Sequence, residues 1–526
     1  MTLTATTYVC ARLSDYWGRR EPWQRRLWNL GTVAMLEEVL EAAAMQRDGH
    51  FQERPVTTLA AAATKQLGRD PGIGPAPVRR ELQRALADVH RDSASVRRLQ
   101  LLLAERAPSY LDEWRRAWSE PASSPECEFT SRSLGAQLLD CGFSPDHLHR
   151  WLTAVTSGPS SMSVADLIDE ACQLSARPLH PYEVLIPVKS LPRHRQQMPS
   201  SWLEPSDVAR WIREHGPGEG ARIRQNGGFL FSVEARDPWR AVEVASDIMQ
   251  SLAARVVVGL PGQNELVVQD VAVVRGSPRT FPLRRPRRQV EVHALSRQGI
   301  LFDATHSALC GRLRSALDLL APLESGSPES AVAGGWAAVE AILNRQDAAN
   351  VQAADELGAL VACSLPRAEL TTLAYAYIEN HDDPLAQQLA TCSSNRERCN
   401  LLAQAIADRT CADLPDPSDA AAAARVAAIL SSPREVLGRV REYSSEAFRR
   451  LYRQRNLVLH AGMSNSVAML ATLRCAPPLL GAAFDRIVHA ALQDPPIDPG
   501  TLVARAQVSL QLVGSVSGRS LGDLLE

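Results

Sequence analysis

Apolar residues at helical spacing dominate both ends of this chain, and a β-branched interval separates them. Near the start, Leu27, Leu30, Val33, Leu36, Val39 and Leu40 recur three and four apart, and Leu99, Leu101, Leu102 and Leu103 open a further run. From about His306 onward everything reads as helix, with loops expected at residues 322–330 and at Leu414-Pro415-Asp416-Pro417. In the interval, residues 184–186 and 229–233 read as strands, and Asp237-Pro238 starts a helix, with Asp at the N-cap and Pro at its first position. Residues 255–258 and 266–274 then return to β-branched composition. A mainly α fold follows, with an N-terminal helical region over 1–160, a small α+β domain over 165–300 and a helical domain over 305–526. A chain of 526 residues is long enough for three such bodies.

Composition narrows the possible partners. The formal net charge of -2 gives no overall pull toward nucleic acid or an anionic membrane, so any RNA contact must come from a local patch. Lys65 and Lys189 are the only lysines; an arginine bias this complete alongside abundant alanine reads as GC-rich coding, not as evidence for RNA. Ten cysteines without a CxxC pair fit reduced thiols in a cytoplasm. The first twenty residues carry Arg12 and Asp15 in place of a continuous apolar stretch, so no signal peptide is expected, and no apolar run approaches the ~20 residues of a membrane helix.

Several features have two readings. Trp17, Trp23, Trp28, Trp114, Trp118 and Trp151 are core anchors of a helical module or, interleaved with arginine, a base-stacking platform. Between Val271 and Val290 there is no acidic residue, and Arg284, Arg285, Arg287 and Arg288 crowd around Pro286. That segment is an RNA-contacting loop or a solvated connection. His381, Cys392, Cys399 and Cys411 are suitable zinc-ligand types at spacings that match no compact finger, so no metal and no cofactor is expected. Glu340 lies on an almost wholly apolar helix face and needs a partner, for which an arginine of a later helix is the natural candidate.

The strongest chemical signal is Arg455-Asn456-Leu457-Val458-Leu459-His460, at the end of a helix whose buried stripe is Val436, Val440, Tyr443, Phe448, Leu451 and Tyr452. Ala461-Gly462 is a stop signal, so His460 is expected near the helix C-terminus, where the macrodipole favours imidazolium. At ~100° per residue on an ideal helix, Arg455 and His460 point apart and are not expected to form one tight pair. They would line a cleft, or a second copy of the helix would complete the site. A histidine that moves a proton beside an arginine that stabilises phosphorane charge suits RNA, whose 2′-OH attacks the adjacent phosphate without a metal.

The run from Phe448 to Gly462 resembles the motif helix of HEPN domains of the Apea-like kind, and Gly335-Trp336-Ala337-Ala338-Val339-Glu340 resembles their first long helix. The resemblance covers about residues 305–520. It implies a four-to-five-helix bundle dimerising across the motif helices, and a metal-independent endoribonuclease with Arg455 and His460 as the catalytic pair. Asn456 would be the polar neighbour, and Arg453 and Glu340 would support the site. It further implies action on tRNA or mRNA in toxin or abortive-infection defence against phage, set off by a phage-derived or cellular trigger. A non-catalytic HEPN protein that binds a nucleotide or RNA, or serves in oligomerisation, is the alternative. The stretch from about 350 to 430 exceeds a minimal bundle. The first 300 residues are expected to sense the trigger or target the RNA.

Overall fold

The computed structural model describes residues 3–120, 125–157, 162–193, 197–217, 223–261, 265–283, 288–303, 311–343 and 350–526. The fold is mainly α with one small antiparallel sheet. Among the described residues no helix is long and apolar enough to cross a membrane.

The chain forms two compact units, and their boundaries redraw the expected domains. The first unit comprises Met1–Asp140, Leu152–Cys172 and Arg288–Glu526; the second comprises Cys141–Trp151 and Gln173–Arg287. The helical regions expected separately at 1–160 and 305–526 therefore fold together. Trp28 lies in the same buried core as Trp336, Phe448 and Phe484. Arg25 pairs with Glu369 at 2.9 Å and with Asp419 at 2.6 Å, and Glu369 also takes Arg425 at 2.7 Å. A carboxylate buried this deeply is tolerable only when several donors satisfy it.

Within the first unit, the helices Gly311–Ser325 and Pro328–Leu343 pack as a hairpin, and the 31-residue Asn350–Asn380 helix runs along the Pro433–Ala461 helix. Pro322 sits inside a helix, so the loop expected over 322–330 shrinks to Gly326 and Ser327. The long contact depends on a missing side chain. A Cβ on Gly358 would stand 2.2 Å from Ser445 Oγ and 3.0 Å from the Arg441 carbonyl oxygen. The segment beyond a minimal bundle forms the short helices Pro384–Thr391, Asn395–Ala407 and Pro417–Ser431, which close a satellite core around Leu373, Tyr377, Leu402 and Val426.

The second unit holds the sheet, with strands β1 (His180–Ser190), β2 (Trp202–Leu203), β3 (Gly228–Ala235), β4 (Val267–Val268), β5 (Val271–Val274) and β6 (Thr280–Pro282) in the order β2-β3-β1-β5-β6, and β4 also on β1. Alternation on β1 separates two faces. Val184, Ile186 and Val188 meet Trp239, Val242 and Met249 of the Pro238–Gly259 helix, whereas Leu185 meets Val208 and Trp211 of the Pro205–His215 helix. Asp237 caps the longer helix through the Arg240 amide at 2.9 Å, as its sequence predicts, and also accepts from the amide and hydroxyl of Ser144, each at 2.8 Å. Residues 255–258, expected to be extended, are the last turns of that capped helix, with Val257 and Val258 facing solvent. A well-nucleated helix overrides local β propensity there.

Candidate active site at the end of the motif helix

The Pro433–Ala461 helix begins with Pro at its first position and ends at Gly462, whose φ of 64° is the left-handed conformation that glycine adopts without strain. All six residues of the predicted apolar stripe pack into or against the core. The opposite side of the last turns carries Arg455 and Asn456, both half-buried, and His460, which is exposed.

The structure brings these three together. Arg455 Nη1 donates to Asn456 Oδ1 at 3.0 Å and lies 3.2 Å from His460 Nε2. This corrects the expectation that Arg455 and His460 cannot form a tight pair. The last turn is wide: the amides of Gly462 and Met463 both reach back to the Leu457 carbonyl, five and six residues earlier. Such π-like spacing turns the chain less per residue, and the long arginine side chain covers the remaining gap. Arginine only donates, so His460 Nε2 must accept in this contact and the imidazole is neutral, with its proton on Nδ1. Asn456 orients Arg455 and does not touch His460.

Arg453 points inward, away from this surface. It donates to Glu38 Oε1 from Nε at 3.1 Å and from Nη2 at 2.9 Å, and Nη2 also meets Glu446 Oε1 at 2.5 Å. Arg450, sealed from solvent, binds the other oxygen of Glu38 at 3.0 Å. Burial pushes the Glu38 carboxyl up, but Arg450 and Arg453 together bring it below the usual glutamate range. The same Thr32–Arg47 helix holds the loop that follows the motif. Glu41 accepts from the Ser466 hydroxyl at 2.6 Å and the Val467 amide at 3.2 Å, and Ser466 accepts from Gln454 at 2.8 Å. Two glutamates near the start of the chain thus fix the helix and loop that present His460. The signal for Glu38 was legible, since it lies among Leu36, Val39 and Leu40 as Glu340 lies among apolar neighbours.

Glu340 itself is paired differently from expectation. Its Oε1 accepts from the Trp336 indole at 2.9 Å, and no arginine among the described residues bonds to it. The Trp336 ring packs against Tyr452 at 4.9 Å, so Glu340 supports the motif helix through an aromatic pair and not an ion pair. Arg284, Arg285 and Arg287 lie outside the described residues. Arg288 donates to the carbonyls of Leu323 at 3.1 Å and Gly326 at 2.9 Å, capping the end of the Gly311–Ser325 helix. Of the six tryptophans, Trp17, Trp28 and Trp114 are fully buried core anchors.

Among the described residues no three His, Cys, Asp or Glu side chains gather in a way that would hold a metal. His381 stacks on Tyr377 at 4.2 Å, and its ring nitrogens face the carbonyls of Tyr377 and Asp413. Cys399 lies against Thr371, while Cys392 faces the Gln388 carbonyl. Burial pushes the Cys411 thiol up to about 11, which disfavours the thiolate a metal needs. No family model, curated protein or solved structure matches the chain.

Proposed function

We propose that the protein is a metal-independent endoribonuclease of HEPN type that uses Arg455 and His460, with Asn456 holding the guanidinium. The observation that carries this reading is the 3.2 Å contact between Arg455 Nη1 and an exposed, neutral His460 Nε2. A neutral imidazole is a competent general base. When RNA enters, the guanidinium leaves Nε2 for a phosphate oxygen, and Nε2 takes the 2′-OH proton. The 2′-oxygen then bonds to phosphorus as the bond to the 5′-oxygen breaks. Arg455 stabilises the added phosphorane charge. The leaving 5′-oxygen takes its proton from a protonated imidazole of a second copy, supplied by a two-fold dimer.

Leu459, Val467 and Leu470 are 53%, 45% and 49% exposed, an apolar rim around the pair that suits such a dimer. The substrate in this reading is cytoplasmic tRNA or mRNA, and the role is toxin-like or abortive-infection defence. The second unit, which has its own core, takes the sensing part. The apolar rim equally favours a second reading, a non-catalytic oligomerisation or RNA-binding platform.

Cleavage of labelled total RNA in EDTA by wild type, Arg455→Ala and His460→Ala separates the two. The ribonuclease reading expects wild-type cleavage and a loss of at least about a hundredfold in each folded variant. Cleavage surviving in both variants removes the assigned site. RNA or self-association bound equally well by all three, without cleavage, establishes the platform.

A further inference from the structure

The Met469–Ala491 helix carries a second cationic centre that the ribonuclease reading does not use. A seven-residue connection joins it to the motif helix, so the two run as antiparallel neighbours. Arg486 lies seventeen residues into the second helix. At ~1.5 Å per residue that is roughly 25 Å from the end that faces His460.

Arg486 makes no hydrogen bond or ion pair with any described residue, although most of its side chain is covered. Its nitrogens are not among the unpartnered atoms sealed from solvent, so the fork stays open to a small solute. The nearby carboxylates are already engaged. Asp485 accepts from the Ala294 amide at 2.6 Å and from Arg297 at 2.8 Å, and Glu526 accepts from Arg367. Burial and Arg367 push the Arg486 guanidinium down to about 10, with Arg297 adding to the fall, against the pull of Asp485 and Glu526. His489, one turn on, is held below its ordinary value by burial and by Arg486, Arg297 and Arg367. Three guanidiniums therefore bear on one place where the acceptors are already bonded to other donors.

We propose that Arg486, with Arg297, Arg367 and His489 around it, binds a phosphate group. A tetrahedral dianion gives the Arg486 fork the acceptors it lacks and offsets the repulsion among the three cations. The neutral His489 adds one more donor. The phosphate is either free or the terminal group of a nucleotide, and the site stands whether or not Arg455 and His460 cleave RNA.

The test is the thermal midpoint of the full chain against inorganic phosphate from 0 to roughly 20 mM, at constant ionic strength in chloride, repeated with adenosine monophosphate. The wild type should show a saturable rise that chloride does not reproduce. In Arg486→Met the rise should weaken at least tenfold, while the unliganded midpoint stays level or increases, because no cation is left stranded. A tighter response to adenosine monophosphate identifies a nucleotide source, and an equal one identifies free phosphate. Should Arg486→Met fail to fold, Arg297→Gln at the exposed edge decides, with an expected severalfold weakening. The absence of a saturable shift in wild type, or an unchanged shift in the variants, overturns the proposal.

Discussion

Replacing Glu38 by Gln preserves shape and removes one buried charge, so it isolates what the clamp on the motif helix contributes. Glu38 is 2% exposed and Arg450 is sealed, and Nη1 and Nη2 of Arg450 already lack a hydrogen-bond partner. A glutamine oxygen can serve one guanidinium, but its amide N–H₂ faces the other. Glu446 would be the remaining carboxylate, 2.5 Å from Arg453 and 4.0 Å from Arg450. Breaking a buried pair from one side costs about 3–5 kcal/mol, of which a retained hydrogen bond returns about 1. The unit holding Glu38 has roughly 400 residues. At about 2.1 cal/mol/K per residue its unfolding entropy is near 0.8 kcal/mol/K, so the midpoint should fall by about 3–5 °C. Differential scanning calorimetry at pH 7 measures this, and adding Arg450→Met should recover part of the loss by removing the stranded cation. A midpoint within 1 °C of wild type, or no recovery in the double variant, would refute the reasoning.

Two further outcomes follow from the same packing. Glu38, Glu128 and Glu369 are pushed up by burial, yet their arginine partners bring each below the usual glutamate range. Their stabilisation is complete above the unfolded value of about 4.3 and is lost as pH falls through the folded values. Urea midpoints should therefore drop between pH 6 and pH 3, and by less in Glu38→Gln; an equal drop in both would exclude Glu38 as a contributor. Gly358→Ala should destabilise by about 1–2 kcal/mol, because crowding against Arg441 and Ser445 outweighs the gain in helix propensity. Gly438→Ala, where an added Cβ meets nothing within 4 Å, should be neutral or stabilising by up to about 1 kcal/mol, and urea unfolding compares the two.

Local chemistry was legible in the sequence where a few adjacent residues decide it. Asp237-Pro238 announced a capped helix, Gly462 announced the end of the motif helix, and the strands at 184–186 and 229–233 lie within β1 and β3. Reading each region alone misled wherever the partner was distant. Helical periodicity shows which face of the Thr32–Arg47 helix is apolar, but not that Glu38 on it meets arginines 412 and 415 residues later. Arginine abundance looked like a coding bias, yet Arg12, Arg25, Arg132, Arg450 and Arg453 are buried polar members of the core. The Arg455–His460 contact was missed for another reason. It depends on the widening of a single helical turn, which ideal-helix geometry leaves out.

The same distance bears on how the chain is made. Glu38 leaves the ribosome long before Arg450 exists, and at about 5–20 residues per second the wait is roughly 20–80 s. Throughout that interval the first helices carry carboxylates whose only adequate counter-ions are still unsynthesised. The motif helix is among the last segments made, and it is seated by residues among the first. The surface that presents Arg455 and His460 is therefore a late product of translation: a truncated or stalled chain lacks it, and a finished one assembles it in a single closing step.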